Sequence, residues 1–369
     1  MKVIEFFGEP LSYGGQEAFI FNMYSHFNRL AKYLFITPFH ADNIELLEMI
    51  SNRGDEYIAC NYVFESFWRK VSIIKAAKKC IPSDCDVIHI HSGSIFNLMI
   101  VAKIAKKKGI KRIIVHSHAT GNADVKHGII KKLSDSYLEK YADCFLACSK
   151  EAGKFKFSDK VLASNRFHVI NNGIELERYK YCDEYRKKIR DELRLKDEFV
   201  LCNVGRYSHE KNQMFILKVF SEYLNLDSSA KLLLVGGEGP SKDELIQEID
   251  RLGIKSKVIM LSKRNDINQI LSAVDVFLFP SLFEGLGISA IEAQASGLHT
   301  LCSENVPEEA NVTPLFHRLS LNDRVSDWVD IIMKLPIVDR VEYGHNKFNP
   351  NYIASNCAKE LESLYFCNG

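Results

Sequence analysis

The sequence predicts an α/β protein with two domains, each built on a parallel β-sheet covered by helices. Short β-branched and apolar runs alternate with helical stretches, which is typical of parallel sheets whose strands are buried on both faces. This alternation forms one series, stops at a charged stretch, and then begins again. The length of 369 residues, 46% of them hydrophobic, also exceeds what one hydrophobic core usually serves. Two domains are therefore expected.

The predicted strands fall into two series. The first contains Lys2–Phe7, Tyr33–Thr37, Val87–His91, Arg112–Ser117, Cys144–Cys148 and Phe167–Ile170. The second contains Phe199–Val204, Lys231–Val235, Lys257–Leu261, Asp275–Pro280 and Thr300–Ser303.

The turn signal Asn171-Asn172-Gly173-Ile174 directly follows a strand, and a charged stretch from Glu175 to Glu198 comes next. We place the domain linker there, so that residues 1–172 form the N-terminal domain and residues 173–350 the C-terminal one. Apolar residues at helical spacing predict a last helix from Asn351 to Tyr365. The sequence does not decide which domain this segment, 351–369, packs on; a return to the N-terminal domain is one option.

Composition excludes a general affinity for nucleic acid, because 48 basic and 47 acidic residues leave a net charge of +1. The first residues are too short an apolar run for a secretory signal, and no later run nears the ~18 residues of a membrane span. Ten cysteines are scattered without a Cys-x-x-Cys pair, which favours reduced thiols. A cytoplasmic protein is expected.

Ligands of open parallel sheets bind beyond the carboxyl ends of the strands, so the residues that follow each strand are the candidate site residues. The turn after the first strand contains Gly14-Gly15, and a helical run from Glu17 to Leu30 follows. Paired glycines let the backbone approach a phosphate, and the helix N-terminus adds partial positive charge. A tight turn without a ligand is an equally good interpretation.

Two cations lie in the turn Gly205-Arg206-Tyr207-Ser208-His209-Glu210-Lys211-Asn212, which follows a strand and opens a helix. Arg206 and Lys211 can both reach a pyrophosphate lying over that helix start. The alternative is a solvated cationic turn.

A second turn, around Glu284-Gly285-Leu286-Gly287, opens a helix that contains Glu292. A helix rises about 1.5 Å per residue, so the two carboxylates would be separated by roughly 12 Å or less. That span suits one carboxylate at a sugar and the other at a ribose, and the three amides after Glu284 would point at a phosphate between them. Alternatively, Glu284 caps the helix and Glu292 pairs with a cation.

Two further turns are ambiguous. His116 and His118 follow strand alternation onto one side, so that His118 could hydrogen-bond a substrate or be a structural histidine. The turn Gly236-Gly237-Glu238-Gly239-Pro240 could face a phosphate, although the path of the chain alone could require its glycines.

These segments together resemble the retaining glycosyltransferases of family 4, in particular the bacterial branch that builds capsular and extracellular polysaccharide. The resemblance covers nearly the whole chain, and its most specific element is the Glu-x7-Glu signature from Glu284 to Glu292. Other positions fall where the family places related residues: Gly14-Gly15, His118, Asn172-Gly173, Arg206 and Lys211.

The resemblance implies the GT-B fold, in which two Rossmann-like domains face each other across a deep cleft. The C-terminal domain would hold the nucleotide diphosphate sugar, with UDP-sugars favoured, and the N-terminal domain would hold a glycan or polyprenyl-linked acceptor. Arg206 and Lys211 would neutralise the diphosphate, Glu292 would bind the ribose and Glu284 would contact the transferred sugar. His118 would lie near the C6 hydroxyl of that sugar, and Arg264 near the base.

Such enzymes need no bound metal or other cofactor, because fixed cations and helix N-termini stabilise the leaving diphosphate. The resemblance further suggests same-face attack, with the leaving phosphate assisting deprotonation of the acceptor. One departure is Lys263-Arg264-Asn265-Asp266, which stands where many members have a glycine before the arginine. The contacts to the base are therefore less defined by the sequence.

Three other functions are alternatives. A nucleotide-sugar epimerase of the same architecture would turn over the donor without an acceptor. A partner subunit without activity would bind donor or lipid only. A metal-dependent hydrolase would use histidines at adjacent strand ends together with nearby aspartates. The candidate ligands are His89, His91, His116, His118, Asp84, Asp86 and Asp124.

Basic residues in Lys75–Lys79 and Lys103–Lys108 lie among apolar and aromatic residues such as Phe64, Phe67 and Trp68. They are either two solvated helix faces or a surface that rests on anionic lipid at the inner face of the membrane.

Overall fold

The computed structural model describes residues 1–12, 15–64, 67–118, 137–237 and 239–366. The chain divides into two compact units: Met1–Ile174 together with Asn351–Gly369, and Glu175–Pro350. Each unit contains one sheet in which all the strand pairs are parallel. The predicted α/β class is confirmed.

The sheet of the first unit has seven strands in the order β3-β2-β1-β4-β5-β6-β7. The strand order reverses between β1 and β4, and such a switch point is where ligands of these sheets bind. The strands are β1 (Lys2–Phe7), β2 (Lys32–Thr37), β3 (Glu56–Ala59), β4 (Val87–His91), β5 (Arg112–Ser117), β6 (Cys144–Ala147) and β7 (Phe167–Val169).

The sheet of the second unit has six strands in the order β10-β9-β8-β11-β12-β13. Its switch point lies between β8 and β11. The strands are β8 (Val200–Val204), β9 (Lys231–Val235), β10 (Val258–Leu261), β11 (Val276–Phe279), β12 (His299–Ser303) and β13 (Phe316–Leu319).

Helices connect the strands in both units. In the first unit they are α1 (Gly15–Tyr24), α2 (Ile44–Asn52), α3 (Arg69–Cys80), α4 (Ile95–Lys107), α5 (Lys150–Lys156), α6 (Asp159–Leu162) and, at the end of the chain, α14 (Ala354–Phe366). In the second unit they are α7 (Leu176–Tyr179), α8 (Asp183–Glu192), α9 (Gln213–Tyr223), α10 (Lys242–Arg251), α11 (Ile267–Ala273), α12 (Ile288–Ala295) and α13 (Val325–Lys334). Short 3-10 turns cover His209–Lys211, Lys255–Lys257, Glu308–Ala310 and Pro350–Tyr352, and a π-helical turn covers Glu342–Asn346.

The first sheet is buried on both faces, which explains why its strands read as continuous apolar runs. In β1, Ile4 and Phe6 enter one core while Val3 and Phe7 enter the other. Helix α14 contributes to the second of these cores. A Cβ atom on Gly173 would lie 2.6 Å from the Cα of Ala354, so the start of α14 packs directly against a glycine.

All the predicted strands are present, with ends that agree within one residue. Strands β3 and β13 were missed. Both are edge strands whose residues are at most partly buried, so hydrophobic periodicity is weak there.

The charged stretch from Glu175 to Glu198, where the linker was placed, folds into α7 and α8 of the second unit. Arginines of this stretch form hydrogen bonds within the second unit. Arg186 donates to the carboxylate of Asp275 at 2.8 Å, and the buried Arg190 donates to the backbone oxygen of Ala273 at 2.8 Å.

Candidate active site

The two predicted turns of the second unit lie side by side at its switch point. One follows β8 and the other follows β11, which are neighbours in the sheet. The amide of Leu282 donates to the carbonyl of Glu210 at 2.8 Å, and the Asn212 side chain donates to the carbonyl of Pro280 at 3.0 Å. These bonds hold the Arg206–Lys211 turn against the Glu284–Gly287 turn.

Lys211 and Glu284 form an ion pair across the two turns. The Nζ atom of Lys211 lies 2.6 Å from Oε1 of Glu284, and the two side chains are 23% and 9% exposed. The lysine also lies over the ring of Phe279, 5.2 Å from its centroid. The sequence predicted that both residues belong to one site, and the structure brings them into contact.

Two helix N-termini adjoin this pair. Helix α9 follows Asn212, and α12 follows Gly287. Both of these preceding residues have left-handed backbone conformations. Neither helix has an acidic residue in its first turn, whereas α10 has Asp243 and Glu244 there. The first amides of a helix carry partial positive charge and bind anions. Together with Lys211, they give this edge of the sheet the chemistry of a phosphate site.

Arg206 and Arg264 are each paired with carboxylates. Arg206 is largely exposed, and its guanidinium lies 3.0 Å from Glu210 one helical turn away. Exposed pairs of this kind contribute little to stability, so Arg206 can exchange this partner for a bound anion. Arg264 is held by Glu192 at 2.7 Å and Asp266 at 2.7 Å, a fixed position that the sequence did not predict.

Glu292 lies in α12 and accepts a hydrogen bond from the hydroxyl of Tyr179 at 2.5 Å. Burial raises the pKa of Glu292 to about 7, although the Tyr179 hydrogen bond lowers it. Tyr179 was missed, because it lies in the stretch interpreted as a linker. Gly285 and Leu286 lie between Glu284 and the start of α12.

The glycine-rich turn after β9 is required by close backbone contact. A Cβ atom on Gly239 would lie 2.1 Å from the carbonyl oxygen of Tyr207, and one on Gly236 would lie 2.5 Å from that of Gly205. These distances favour the interpretation in which the chain path requires the glycines. Glu238 lies outside the described residues.

In the first unit, Gly14 lies outside the described residues, and Gly15 is the first residue of α1. The side chains of His116 and His118 lie on the same side, as strand alternation predicted, and their ring centroids are 3.9 Å apart. His118 directly follows β5 and is partly buried.

The histidines considered for a hydrolase do cluster, but not with the aspartates proposed for it. Ring nitrogens of His89, His91 and His116 lie within 4.8 Å of one another. Asp84 and Asp86 precede β4 and therefore lie at the opposite edge of the sheet, where they contact Lys2. Asp124 is outside the described residues.

The carboxylate at the histidines is Glu5, whose Oε2 atom lies 2.8 Å from Nε2 of His91. Glu5 was not predicted as a site residue, because it lies inside β1 and not at a strand end. A charged residue within a buried apolar strand was nevertheless a signal that it has polar partners.

Comparisons with known proteins show which family the chain belongs to. The family model of Glycosyltransferase Family 4 matches residues 13–178, and that of Glycosyl transferases group 1 matches residues 185–323. The predicted glycosyltransferase EpsF of Bacillus subtilis (strain 168) is 25% identical over 335 residues, which cover 89% of this chain and 86% of EpsF. An Escherichia coli enzyme, UDP-Gal:alpha-D-GlcNAc-diphosphoundecaprenol alpha-1,3-galactosyltransferase, is 27% identical over 252 residues, or 64% of either chain.

Among solved structures, Alr3699/HepE of Anabaena in complex with UDP has 17% identity and a TM-score of 0.73, and the match covers 99% of this chain and 96% of that one. This likeness shows a shared fold, that of the GT-B glycosyltransferases. Because the two family models together match most of the sequence, the chain belongs to the glycosyltransferases that combine these two domains. The resemblance inferred from its motifs is confirmed.

Proposed function

We propose that this protein transfers a hexose or N-acetylhexosamine, with retention, from a nucleotide diphosphate sugar to a lipid-linked glycan in the synthesis of a capsular or extracellular polysaccharide. UDP is the favoured nucleotide, since the Anabaena neighbour was crystallised with it. The E. coli relative is named for an acceptor on diphosphoundecaprenol, which supports an acceptor of that class.

The observation that carries this proposal is the Lys211–Glu284 pair at the start of two helices. A nucleotide sugar presents a dianionic diphosphate beside a sugar rich in hydroxyl groups. A cation and a carboxylate in contact match those two neighbouring parts of the donor, with Lys211 at the diphosphate and Glu284 at a sugar hydroxyl.

Bond breakage places negative charge on the leaving diphosphate. Lys211, Arg206 and the amides at the starts of α9 and α12 stabilise that charge without a bound metal. For retention, the acceptor hydroxyl attacks from the face that the diphosphate leaves, and a phosphate oxygen takes its proton. No enzymic nucleophile is needed in this scheme.

A panel of nucleotide sugars, incubated with and without a polyprenyl-diphosphate-linked sugar, tests the proposal. We expect one UDP-sugar to be consumed with formation of an α-linked product, and the rate to be unchanged in EDTA. A product of inverted configuration would contradict retention, and complete, reversible loss in EDTA would contradict metal independence. An epimerised donor formed without an acceptor would support the epimerase instead.

Glu292 should make donor binding depend on pH. Its carboxylate is the better acceptor for ribose hydroxyls, and with a pKa of about 7 it becomes protonated as the pH falls. The donor KM should therefore rise up to about 10-fold between about pH 8 and about pH 6, with a smaller change in kcat.

Two variants separate this effect from a general one. Glu292→Gln should raise the donor KM and remove its pH dependence. The hydrogen bond from Tyr179 favours the charged form of Glu292, so its removal in Tyr179→Phe should raise the pKa of Glu292 further. The rise in donor KM should then begin at a higher pH. A wild-type donor KM that is constant over this range would contradict the assignment of Glu292.

A membrane surface is proposed on α3 and the residues just before it, here called the α3 face. Phe67 and Trp68 are 93% and 64% exposed, and Lys70, Lys75 and Lys78 are exposed along the helix that follows them. Within the described residues, no helix combines the length and apolar character required to cross a bilayer. Shallow insertion of the two aromatic side chains and attraction to anionic lipid fit this face.

The other basic segment, Lys103–Lys108, is less suited to lipid than its sequence indicates. The Lys108 ammonium donates to the carbonyl oxygens of Lys78 and Ile81, and Lys106 lies 3.7 Å from Asp143. The α3 face is therefore the better candidate for contact with lipid.

Lys75→Glu/Lys78→Glu should reduce co-sedimentation with anionic vesicles at low salt, because each lysine contributes about 1 kcal/mol near such a surface. Transfer to a lipid-linked acceptor should slow, while hydrolysis of the donor by water should not. The control, Lys255→Glu/Lys334→Glu, makes the same charge change at exposed positions of the second unit. Equal sedimentation of both variants and wild type would return the α3 face to an ordinary solvated surface.

A further inference from the structure

Six polar side chains form one network in the first unit, here called the Glu5 network. It comprises Glu5, His89, His91, His116, His118 and Tyr365. Glu5 and the first three histidines are fully buried, and Tyr365, from helix α14, is 2% exposed. Buried polar groups are strongly destabilising unless they are hydrogen-bonded. The position of each proton in this network is therefore constrained.

Burial disfavours the charged form of all four imidazoles. Burial lowers the pKa of each, to about 3 in His89 and about 4 in His91, and well below the usual value in His116 and His118. A neutral imidazole has one N–H donor and one bare nitrogen that accepts. Fixing the role of one ring nitrogen thus fixes the other.

One arm of the network starts at Oε1 of Glu5. The hydroxyl of Tyr365 donates to this oxygen at 2.7 Å, so Nδ1–H of His89 donates to the Tyr365 oxygen at 2.7 Å. Nε2 of His89 is then bare and accepts from Nδ1–H of His116 at 3.1 Å. This arm assigns the Nδ1–H tautomer to His89 and His116.

The other arm starts at Oε2 of Glu5. Nε2–H of His91 donates to this oxygen at 2.8 Å, so Nδ1 of His91 is bare and accepts from Nε2–H of His118 at 3.0 Å. This arm assigns the Nε2–H tautomer to His91 and His118. The Nδ1 atom of His118 is thereby left with its lone pair, and it has no hydrogen-bond partner within the described residues.

When Glu5 is ionised it accepts on both oxygens, and this sets the donor and acceptor roles along both arms. Burial raises the pKa of Glu5, and the hydrogen bonds from His91 and Tyr365 oppose that effect. If Glu5 instead carried a proton on Oε2, the second arm would reverse and His118 would present Nδ1–H. The proton on Glu5 and the tautomer of His118 are thus linked through His91.

We propose that Glu5 is a positioning residue for His118: acting through His91, it fixes the imidazole so that Nδ1 accepts a hydrogen bond from a hydroxyl of the bound sugar substrate. The proposal rests on the proposed function in assigning the substrate, but the tautomers follow from the network alone. A single ion is disfavoured at His89 and His91, because both ring nitrogens of each are already used in hydrogen bonds.

The first test needs no variant. Long-range proton–nitrogen correlation spectra of the full chain, labelled with ¹⁵N-histidine, report which ring nitrogen carries the proton. At neutral pH we expect Nε2–H in His91 and His118 and Nδ1–H in His89 and His116, with single His→Gln variants for assignment. The opposite tautomer or an imidazolium at His118, or metal bound in stoichiometric amount, would overturn the proposal.

The second test compares one substitution in each arm. His91→Leu removes the link between Glu5 and His118, whereas Tyr365→Phe removes the other hydrogen bond to Glu5 from a similarly buried position. His91→Leu should leave the His118 tautomer mixed and lower kcat about 10-fold with a smaller change in donor KM. Tyr365→Phe keeps the hydrogen bonds of the His91 arm and should therefore change the His118 tautomer and kcat much less than His91→Leu does.

Glu5→Gln provides the third test. Since an amide accepts on one side only, one arm must reverse in this variant, and an unchanged tautomer pattern in both arms would overturn the proposal. Unchanged kcat and His118 tautomer in folded His91→Leu would do the same. Failure to find any sugar transfer would refute the proposed function but leave the tautomer pattern to be judged independently.

Discussion

Replacement of Lys211 by alanine is expected to lower kcat/KM for sugar transfer about 100-fold or more. An electrostatic group placed at a developing anion typically contributes that much, because its stabilisation of the transition state exceeds that of the bound substrate. Steady-state kinetics with the donor varied at saturating acceptor measure the effect. Wild-type kcat/KM in a folded variant would remove Lys211 from the diphosphate.

The same substitution also has a structural cost, which must be separated from the catalytic one. Glu284 is only 9% exposed and loses a partner that lies 2.6 Å away, so the free energy of unfolding should fall by about 1–3 kcal/mol. Lys211→Ala/Glu284→Gln removes both charges and should recover part of that stability without recovering activity. Thermal unfolding of the two variants makes this comparison.

Two further variants, one of Arg206 and one of Lys255, show whether the loss of kcat/KM depends on the position of the cation. Arg206→Ala should also lower kcat/KM about 100-fold, yet hardly change stability, because its exposed pair with Glu210 contributes little. Lys255 pairs with Asp250 at 3.2 Å and precedes β10, at the opposite edge of the same sheet. Lys255→Ala should therefore have wild-type kinetics.

How far the sequence predicts this protein depends on burial. Strands such as β1 and β4 were located closely because they are covered on both faces, so their apolar runs are continuous. The edge strands β3 and β13 lack that constraint. Helices α7 and α8 were hidden for a related reason: they are rich in charge, and their arginines serve to bind backbone oxygens and Asp275, which no periodicity reveals.

The candidate site was predictable where it depends on residues that follow strands. Arg206, Lys211 and Glu284 are separated in sequence but lie on turns after neighbouring strands, and strand order at a switch point brings such turns together. Contacts that join a turn to a distant helix were not predictable in this way. The Tyr179–Glu292 hydrogen bond and the Tyr365–Glu5 hydrogen bond, 360 residues apart in sequence, require the tertiary structure.

Glu284 should act mainly on kcat, in contrast to Glu292. A carboxylate that holds a hydroxyl of the transferred sugar strengthens its hydrogen bond as positive charge develops on that sugar, so its removal is felt more in the transition state than in donor binding. Glu284→Gln should lower kcat about 10-fold to 100-fold, the loss expected for a hydrogen bond to a charged group, with donor KM changed less.

Glutamine is the informative substitution because its amide oxygen can still accept from Lys211, which keeps the ion-pair partner in a similar place. Glu284→Ala removes that acceptor as well and should combine a lower kcat with a lower Tm. Single-turnover measurements of sugar transfer, made alongside equilibrium donor binding, separate the chemical step from binding. An unchanged single-turnover rate in Glu284→Gln, with weakened donor binding, would move Glu284 from the transferred sugar to a role in binding alone.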